Sequence, residues 1–235
     1  MPKIKVLGSL SGMEPILNHH HTSVVIREGE STYFFDAGEN CSRLGHLDGV
    51  NLLNTRAIFI SHTHYDHIGG LAGIFWNMRK ICNVKECPTD YETVKLYVPE
   101  LEAWEGIKTM LSYTEGGFYS RLRFSIDANK PTEGLIYEDE NVKVYAYPTN
   151  HLEPRDNGDC RAFSYRIEFA DFSMVYSGDF KSLDDLLLPV GEGCDLLMSE
   201  TGHHKVDDVC KFAAEHSVGE ILFYHHGREI MTNRK

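Results

Sequence analysis

The sequence predicts an α/β fold in which two mixed β-sheets pack face to face, with helices on the outer faces. Apolar runs such as Ala57-Ile58-Phe59-Ile60 and Ile221-Leu222-Phe223-Tyr224 are nearly continuous, as suits strands covered on both faces. Strand-like runs dominate the first part of each half of the chain, and a β-α-β pattern closes both halves, which a layered sandwich satisfies. With 235 residues, 42% hydrophobic and 25% charged, the chain is long enough to bury a sizeable core without staples. It is read as one domain, residues 1–235.

Alternation and apolar runs place strands at Lys3–Leu7, Ser23–Arg27, Tyr33–Phe35 and Ala57–Ile60. A helix is expected from about Asp66, with Ile68, Leu71, Ile74 and Phe75 at helical spacing. Lys95–Val98 reads as a strand and, after Pro99, Glu100–Leu111 as a helix. Strand-like runs follow at Leu122–Ile126, Val142–Tyr147, Ala162–Phe169 and Phe172–Tyr176, then a short helix at Leu183–Val190. Asp195–Met198 is an apolar strand, Val206–Glu215 a helix and Ile221–Tyr224 a last strand. The stretches 83–93 and 112–132 are too weakly patterned to place.

The N-terminus alternates like a strand and lacks the apolar core of a signal peptide. No run approaches the roughly 18 apolar residues of a membrane span. A cytoplasmic protein with no membrane partner is the expectation. The six cysteines, Cys41, Cys82, Cys87, Cys160, Cys194 and Cys210, are read as reduced thiols in that compartment. Cys82 and Cys87 flank a short loop and are the pair that half of a structural metal site would need. A net charge of −12 argues against a free-standing nucleic-acid binder and leaves room for a small phosphorylated substrate, because bound cations invert the local field.

The chemistry concentrates just after the strand Ala57–Ile60, in His62-Thr63-His64-Tyr65-Asp66-His67. In an extended segment His62 and His64 point the same way and can share one cation. Asp66 and His67 follow as the chain turns into a helix and address a second position. Imidazole and carboxylate are ligands for zinc, and for manganese or iron. One short motif cannot fill two sites, and further candidates sit just past the ends of apolar strands: His151 after Val142–Tyr147, Asp179 after Phe172–Tyr176, and His225-His226 after Ile221–Tyr224. That is where α/β folds place their sites.

His62-x-His64-x-Asp66-His67 followed by His151, Asp179 and His225 resembles the metallo-β-lactamase superfamily. Phe34-Phe35-Asp36-Ala37-Gly38-Glu39-Asn40, Gly69-Gly70-Leu71-Ala72-Gly73, Val175-Tyr176-Ser177-Gly178-Asp179 and Asp195-Leu196-Leu197-Met198-Ser199-Glu200-Thr201 extend the resemblance to its ribonuclease Z-like phosphodiesterase branch. The resemblance covers most of the chain. It implies a four-layered αββα sandwich holding two divalent metal ions, zinc first, with manganese or iron as alternatives. It gives His62, His64 and His151 to the first metal and Asp66, His67 and His225 to the second, with Asp179 bridging. His226 is the alternative to His225, and Asp36 would hold the ligand loop from behind. It also places a proton donor at His203, oriented by Glu200. His203 is followed by His204-Lys205 where the branch usually has Ser-Thr, and an exposed His pair capping the next helix is the competing reading. The triplet His19-His20-His21 is read as a surface loop ahead of a substrate-contacting one.

These expectations describe a hydrolase whose two metals, about 3.5–4 Å apart, share a bridging hydroxide and flank the scissile group, with Asp66, Glu200 and His203 in the catalytic set. Only 27 residues separate His151 from Asp179, enough for two strands and a turn and too few for the transfer-RNA-gripping arm of ribonuclease Z. The expected substrate is therefore a small or cyclic phosphodiester, with nucleic acid only as short fragments and a homodimer as a possible assembly. The alternatives are hydrolysis of a carbon ester (lactone, thioester or β-lactam) and a non-hydrolytic metal-binding or redox protein. A di-iron redox protein would need a flavin partner, and the chain shows no nucleotide-binding fingerprint.

Overall fold

A computed structural model describes residues 1–84 and 93–232. The first sheet runs β1 (Lys3–Gly8), β2 (Ser23–Glu28), β3 (Ser31–Phe35), β4 (Thr55–Phe59), β5 (Thr93–Tyr97) and β6 (Ser125–Asn129), in that spatial order. Its first two pairings are antiparallel and the other three parallel. The second sheet is built from β7 (Gly134–Glu138), β8 (Lys143–Pro148), β9 (Phe163–Glu168), β10 (Ser173–Tyr176), β11 (Cys194–Thr201) and β12 (Val218–His226). Here antiparallel pairing ends at β10, and β10, β11 and β12 run parallel.

Four layers follow from what each face buries. Between the sheets lie Val24, Ile26, Phe35, Phe59, Val144, Tyr165, Tyr176 and Met198. The outer face of the first sheet, including Phe34, Ile58 and Leu96, packs against helices α1 (Cys41–Leu47), α3 (Leu71–Val84) and α4 (Leu101–Ser112). The outer face of the second buries Val175 and Leu197 under α5 (Leu187–Val190) and α6 (Val206–Glu215). Two short helices, α2 (Tyr65–Ile68) and α7 (Arg228–Thr232), follow β4 and β12. This is the αββα sandwich the resemblance implies.

The inter-sheet core holds several tyrosines, and each buried hydroxyl needs a partner. Tyr33 donates to Asp139 at 2.6 Å, Tyr165 to the Ile60 carbonyl at 2.7 Å and Tyr176 to Asp36 at 2.7 Å. These bonds cross from one sheet to the other, and those of Tyr165 and Tyr176 act at the strand ends that carry the site.

Most elements lie where periodicity puts them, and the differences have local causes. The helix expected from Asp66 is split into α2 and α3, because the Gly70 amide donates to the Ala37 carbonyl at 2.7 Å instead of continuing the helical ladder. The run Leu122–Ile126 begins as a strand only at Ser125, since Leu122 and Phe124 pack on the helical layer. The elements α1 and β7 were not expected; both are short and partly polar. Cys41, Cys160, Cys194 and Cys210 are free thiols. Cys82 is disulfide-bonded, which corrects the expectation of reduced thiols at that position; Cys87 and the rest of 85–92 lie outside the described residues. Among the described residues no helix is long and apolar enough to cross a membrane.

Candidate metal centre

Strand ends converge on one point at the rim of the sandwich. β3 delivers Asp36, β4 the segment His62–His67, β5 Glu100, β8 His151, β10 Asp179, β11 Glu200 and His203, and β12 His225. The backbone is forced at two of these positions: Asp36 has φ 57° and His225 φ 50°. Non-glycine residues adopt this left-handed region only when their surroundings hold them there.

Two groups of ligand atoms result, His62, His64, His151 and Asp179 in one and Asp66, His67 and His225 in the other; a third set, Asp179, His203 and His225, overlaps them, and in each the atoms lie within 4.8 Å of one another. Asp179 faces both. Its Oδ2 is 3.8 Å from His62 Nε2 and 3.6 Å from His151 Nε2. Its Oδ1 is 3.6 Å from His67 Nε2 and 3.5 Å from His225 Nδ1. Asp66 Oδ2 lies 3.4 Å from His67 Nε2 and 3.2 Å from His225 Nε2.

Buried polar atoms normally find a partner. Here His67 Nε2, His151 Nε2, Asp179 Oδ1 and His225 Nδ1 are buried and have none, and all four belong to this cluster. Five imidazoles and two carboxylates are the donor set for two divalent cations, so the residues fit the metals the sequence implies.

The protonation pattern follows from the surroundings. Burial holds His62, His64 and His151 below the ordinary imidazole range, so they are neutral and ready to ligate. Burial also disfavours charge on His67 and His225. The carboxylates of Asp179 and Asp36 overcome it at His67, raising its pKa well above the usual value. Asp179 and Asp66, with Glu200, raise His225 to about 9. Asp66 is held far below the usual carboxylate range: burial opposes its charge, but His225 and His67 prevail. The carboxylates in and around the second group thus favour protons on its imidazoles, with which a cation competes.

Asp36, fully buried, organises the motif from behind. It accepts from Ser61 N at 2.6 Å, Ser61 Oγ at 2.8 Å, His67 Nδ1 at 2.7 Å and Tyr176 Oη at 2.7 Å. A carboxylate acceptor fixes the Nδ1–H tautomer of His67 and leaves Nε2 facing the cluster.

Glu200, also fully buried, accepts from the His203 backbone N–H at 2.8 Å and from its Nδ1 at 3.0 Å. This bond raises the pKa of His203 against the effect of burial. The His203 ring is half-exposed, with Nδ1 3.8 Å from Asp179. His204 turns away: its Nε2 donates to the Phe180 carbonyl at 2.9 Å and its ring stacks on Phe180 at 3.9 Å. Of the pair, His203 is exposed but bonded to Glu200, and His204 is engaged by Phe180.

A bulge decides between His225 and His226. Glu200 pairs with Tyr224 and Thr201 with His226, so His225 is the extra residue; such a bulge re-aims a side chain. His225 turns into the cluster, and His226 Nδ1 lies 2.8 Å from Thr201 Oγ1 instead. The triplet His19–His21 stays outside the ligand groups: His20 accepts from the Leu10 amide at 2.9 Å, and His21 approaches the Met13 carbonyl at 3.5 Å.

The sequence reading missed Glu100 and Gly12. Glu100 accepts from Thr63, between His62 and His64, at 2.5 Å, and also holds Arg155 and Arg161. Those partners outweigh burial and draw its pKa down to about 2. Its signal was available, an acid just past an apolar strand end. Gly12 lies against Asp66 so closely that a Cβ there would be 3.1 Å from Oδ1; nothing in its sequence neighbourhood signals this. Ser11, Gly12 and Met13 join the ligands in lining a cavity of 430 Å³.

A profile of the family described as "Anti-Pycsar protein Apyc1" matches residues 2–234. The chain belongs to this family. Among curated proteins it is similar to ribonuclease Z of Porphyromonas gingivalis, 28% identical over 204 residues, which are 79% of this chain and 62% of that enzyme. It is likewise similar to ribonuclease Z of Methanocaldococcus jannaschii, 26% identical over 94% of this chain and 79% of that enzyme. The chain thus spans less than two thirds of the first of these relatives. Among solved structures, human tRNase Z, short form, superposes with a TM-score of 0.74 at 20% identity, covering 98% of this chain and 94% of that one. The metallo-β-lactamase fold protein YhfI of Bacillus subtilis superposes at 0.75 and 19%, covering 97% and 87%. The fold is that of the metallo-β-lactamase superfamily, and the relatives place the chain in its ribonuclease Z-like part.

Proposed function

We propose that this chain is a two-metal phosphodiesterase acting on small or cyclic phosphodiesters. The observation that carries the reading is Asp179, whose two oxygens divide between two groups of imidazole and carboxylate ligands. His62, His64 and His151 would hold one ion, and Asp66, His67 and His225 the other. Divalent ions there, zinc foremost and manganese or iron as alternatives, supply activation of water at neutral pH and neutralisation of phosphoryl charge.

The chain's own residues do the remainder. Asp36 and Glu100 hold the His62–His67 segment from behind and from the side. Glu200 holds the Nδ1 proton of His203 and raises the pKa of the ring, which favours delivery of a proton from Nε2 to the leaving oxygen. Gly12 closes the wall beside Asp66. The interval from His151 to Asp179 is filled by a loop, β9 and β10, and with the charge of −12 this favours a small substrate over transfer RNA, in a cytoplasmic setting.

The test is hydrolysis of bis-p-nitrophenyl phosphate by protein loaded with zinc or manganese, with His64→Ala as control. Metal-dependent turnover lost in the variant is the expected result. No turnover with two metals bound per chain would overturn the reading and turn attention to lactones and thioesters.

A further inference from the structure

The metal cavity shares a wall with a larger one. Gly202 and His203 line both; beyond them a cavity of 720 Å³ opens between the turn from β11 to α6 and helix α7, lined also by Lys205, Val206, Arg228 and Ile230. This volume lies within the roughly 300–1,000 Å³ of small-molecule sites. Two of its wall residues, Val206 and Ile230, are aliphatic side chains left 37% and 39% exposed. Two further wall residues have partners. His204 is locked on Phe180 by stacking and a hydrogen bond, and Arg228 is held by a two-pronged ion pair to Glu14.

We infer that this second cavity is the leaving-group subsite, and that it takes a ring-bearing alcohol, the leaving half of the diester, against Val206 and Ile230. The inference rests on the phosphodiesterase reading. In the reaction, water oxygen bonds to phosphorus while the P–O bond to the leaving half breaks. The electron pair stays on the leaving oxygen, which takes a proton from His203 Nε2, and the proton released by the water restores His203. A proton donor must lie within hydrogen-bond reach of the atom it serves. With phosphorus at the metal ligands and the leaving oxygen at His203, the group carried by that oxygen extends past His203 into the 720 Å³ cavity. The retained half stays on the Ser11–Met13 side. In a cyclic diester both ester oxygens belong to one body, and that whole body occupies this cavity.

Two substrates separate the two halves. Bis-p-nitrophenyl phosphate and methyl p-nitrophenyl phosphate expel the same p-nitrophenolate but retain an aryl and a methyl group respectively. Ile230→Trp narrows the cavity, and Val206→Trp does so from another element should the first variant fold poorly. Both variants are expected to raise KM for both substrates by at least about tenfold, with kcat and metal content held. A rise for the bis-aryl substrate alone would assign the cavity to the retained half, and no rise for either would show that it takes neither; both results overturn the inference while leaving the phosphodiesterase reading standing. A metal-loaded wild type silent on both substrates overturns that reading, and the inference with it.

Discussion

His67 Nδ1 donates to Asp36 Oδ2 at 2.7 Å, which ties a candidate ligand on α2 to the end of β3 and leaves Nε2 aimed at the His/Asp cluster. The same carboxylate takes the Ser61 amide and the Tyr176 hydroxyl from the opposite sheet. Asp36→Asn keeps the shape and removes the charge and one acceptor. Partners of this kind affect metal affinity by about 10–100-fold. A loss in that range is expected in competition titrations against a chelator. Unchanged affinity would show that His67 needs no orienting carboxylate.

Two glycines let backbone approach the ligands. A Cβ at position 202 would lie 2.8 Å from His225 Nδ1, and one at position 12 would lie 3.1 Å from Asp66 Oδ1. The first contact requires something to move, whereas the second needs a shift of a few tenths of an ångström. Gly202→Ala is expected to lower kcat by roughly 10²-fold, as ångström-scale misplacement does. Gly12→Ala should cost less, with the melting temperature of both close to wild type. Equal activity of the two variants would break the argument.

The pH profile should report the bond between Glu200 and His203. Glu200 raises the His203 pKa above 6.5. The stabilisation from this pairing is therefore full below pH 6.5 and fades as pH rises through the folded value. The protonated donor is lost over the same upper window, giving an alkaline limb in kcat. Glu200→Gln removes the carboxylate and should move that limb to lower pH. Because Glu200 Oε2 is also 3.8 Å from His225 Nδ1, metal content must be measured alongside. An unmoved limb with metals retained would exclude His203 as the titrating donor.

Metal uptake should release protons. The surrounding carboxylates raise His225 to about 9 and His67 well above its usual range, so a cation competes with protons for these imidazoles. Loading the site should therefore expel protons, seen as a buffer-dependent calorimetric heat. The same binding should raise the melting temperature, by about 2.7 kcal/mol of added stability at a hundredfold excess over Kd. Release of no protons would mean that the carboxylates do not charge these imidazoles.

How much was legible varied with the range of the interaction. Helix α6 was placed from periodicity at the bounds it has, Val206–Glu215, because its apolar face is written in neighbouring residues. The strand at 122–126 was misplaced because Leu122 and Phe124 serve a distant helical layer instead of a sheet. Glu100 looked like the first residue of a helix; its three partners come from positions 63, 155 and 161, and no local pattern records such a meeting.

By itself the sequence determined the layered α/β class and the core of the site. Strand period, apolar runs and the spacing of His62, His64, Asp66 and His67 are set within a few residues by backbone geometry. Tertiary structure decided what several strand ends must agree on. It divided the oxygens of Asp179 between two ligand groups, turned His225 inward through a bulge against β11, and brought Tyr176 across the sandwich to Asp36. It also set His203 on the wall between two cavities. These outcomes depend on register between strands distant in sequence and on the burial of charge in a shared interior, and both exist only once the two sheets have closed on each other.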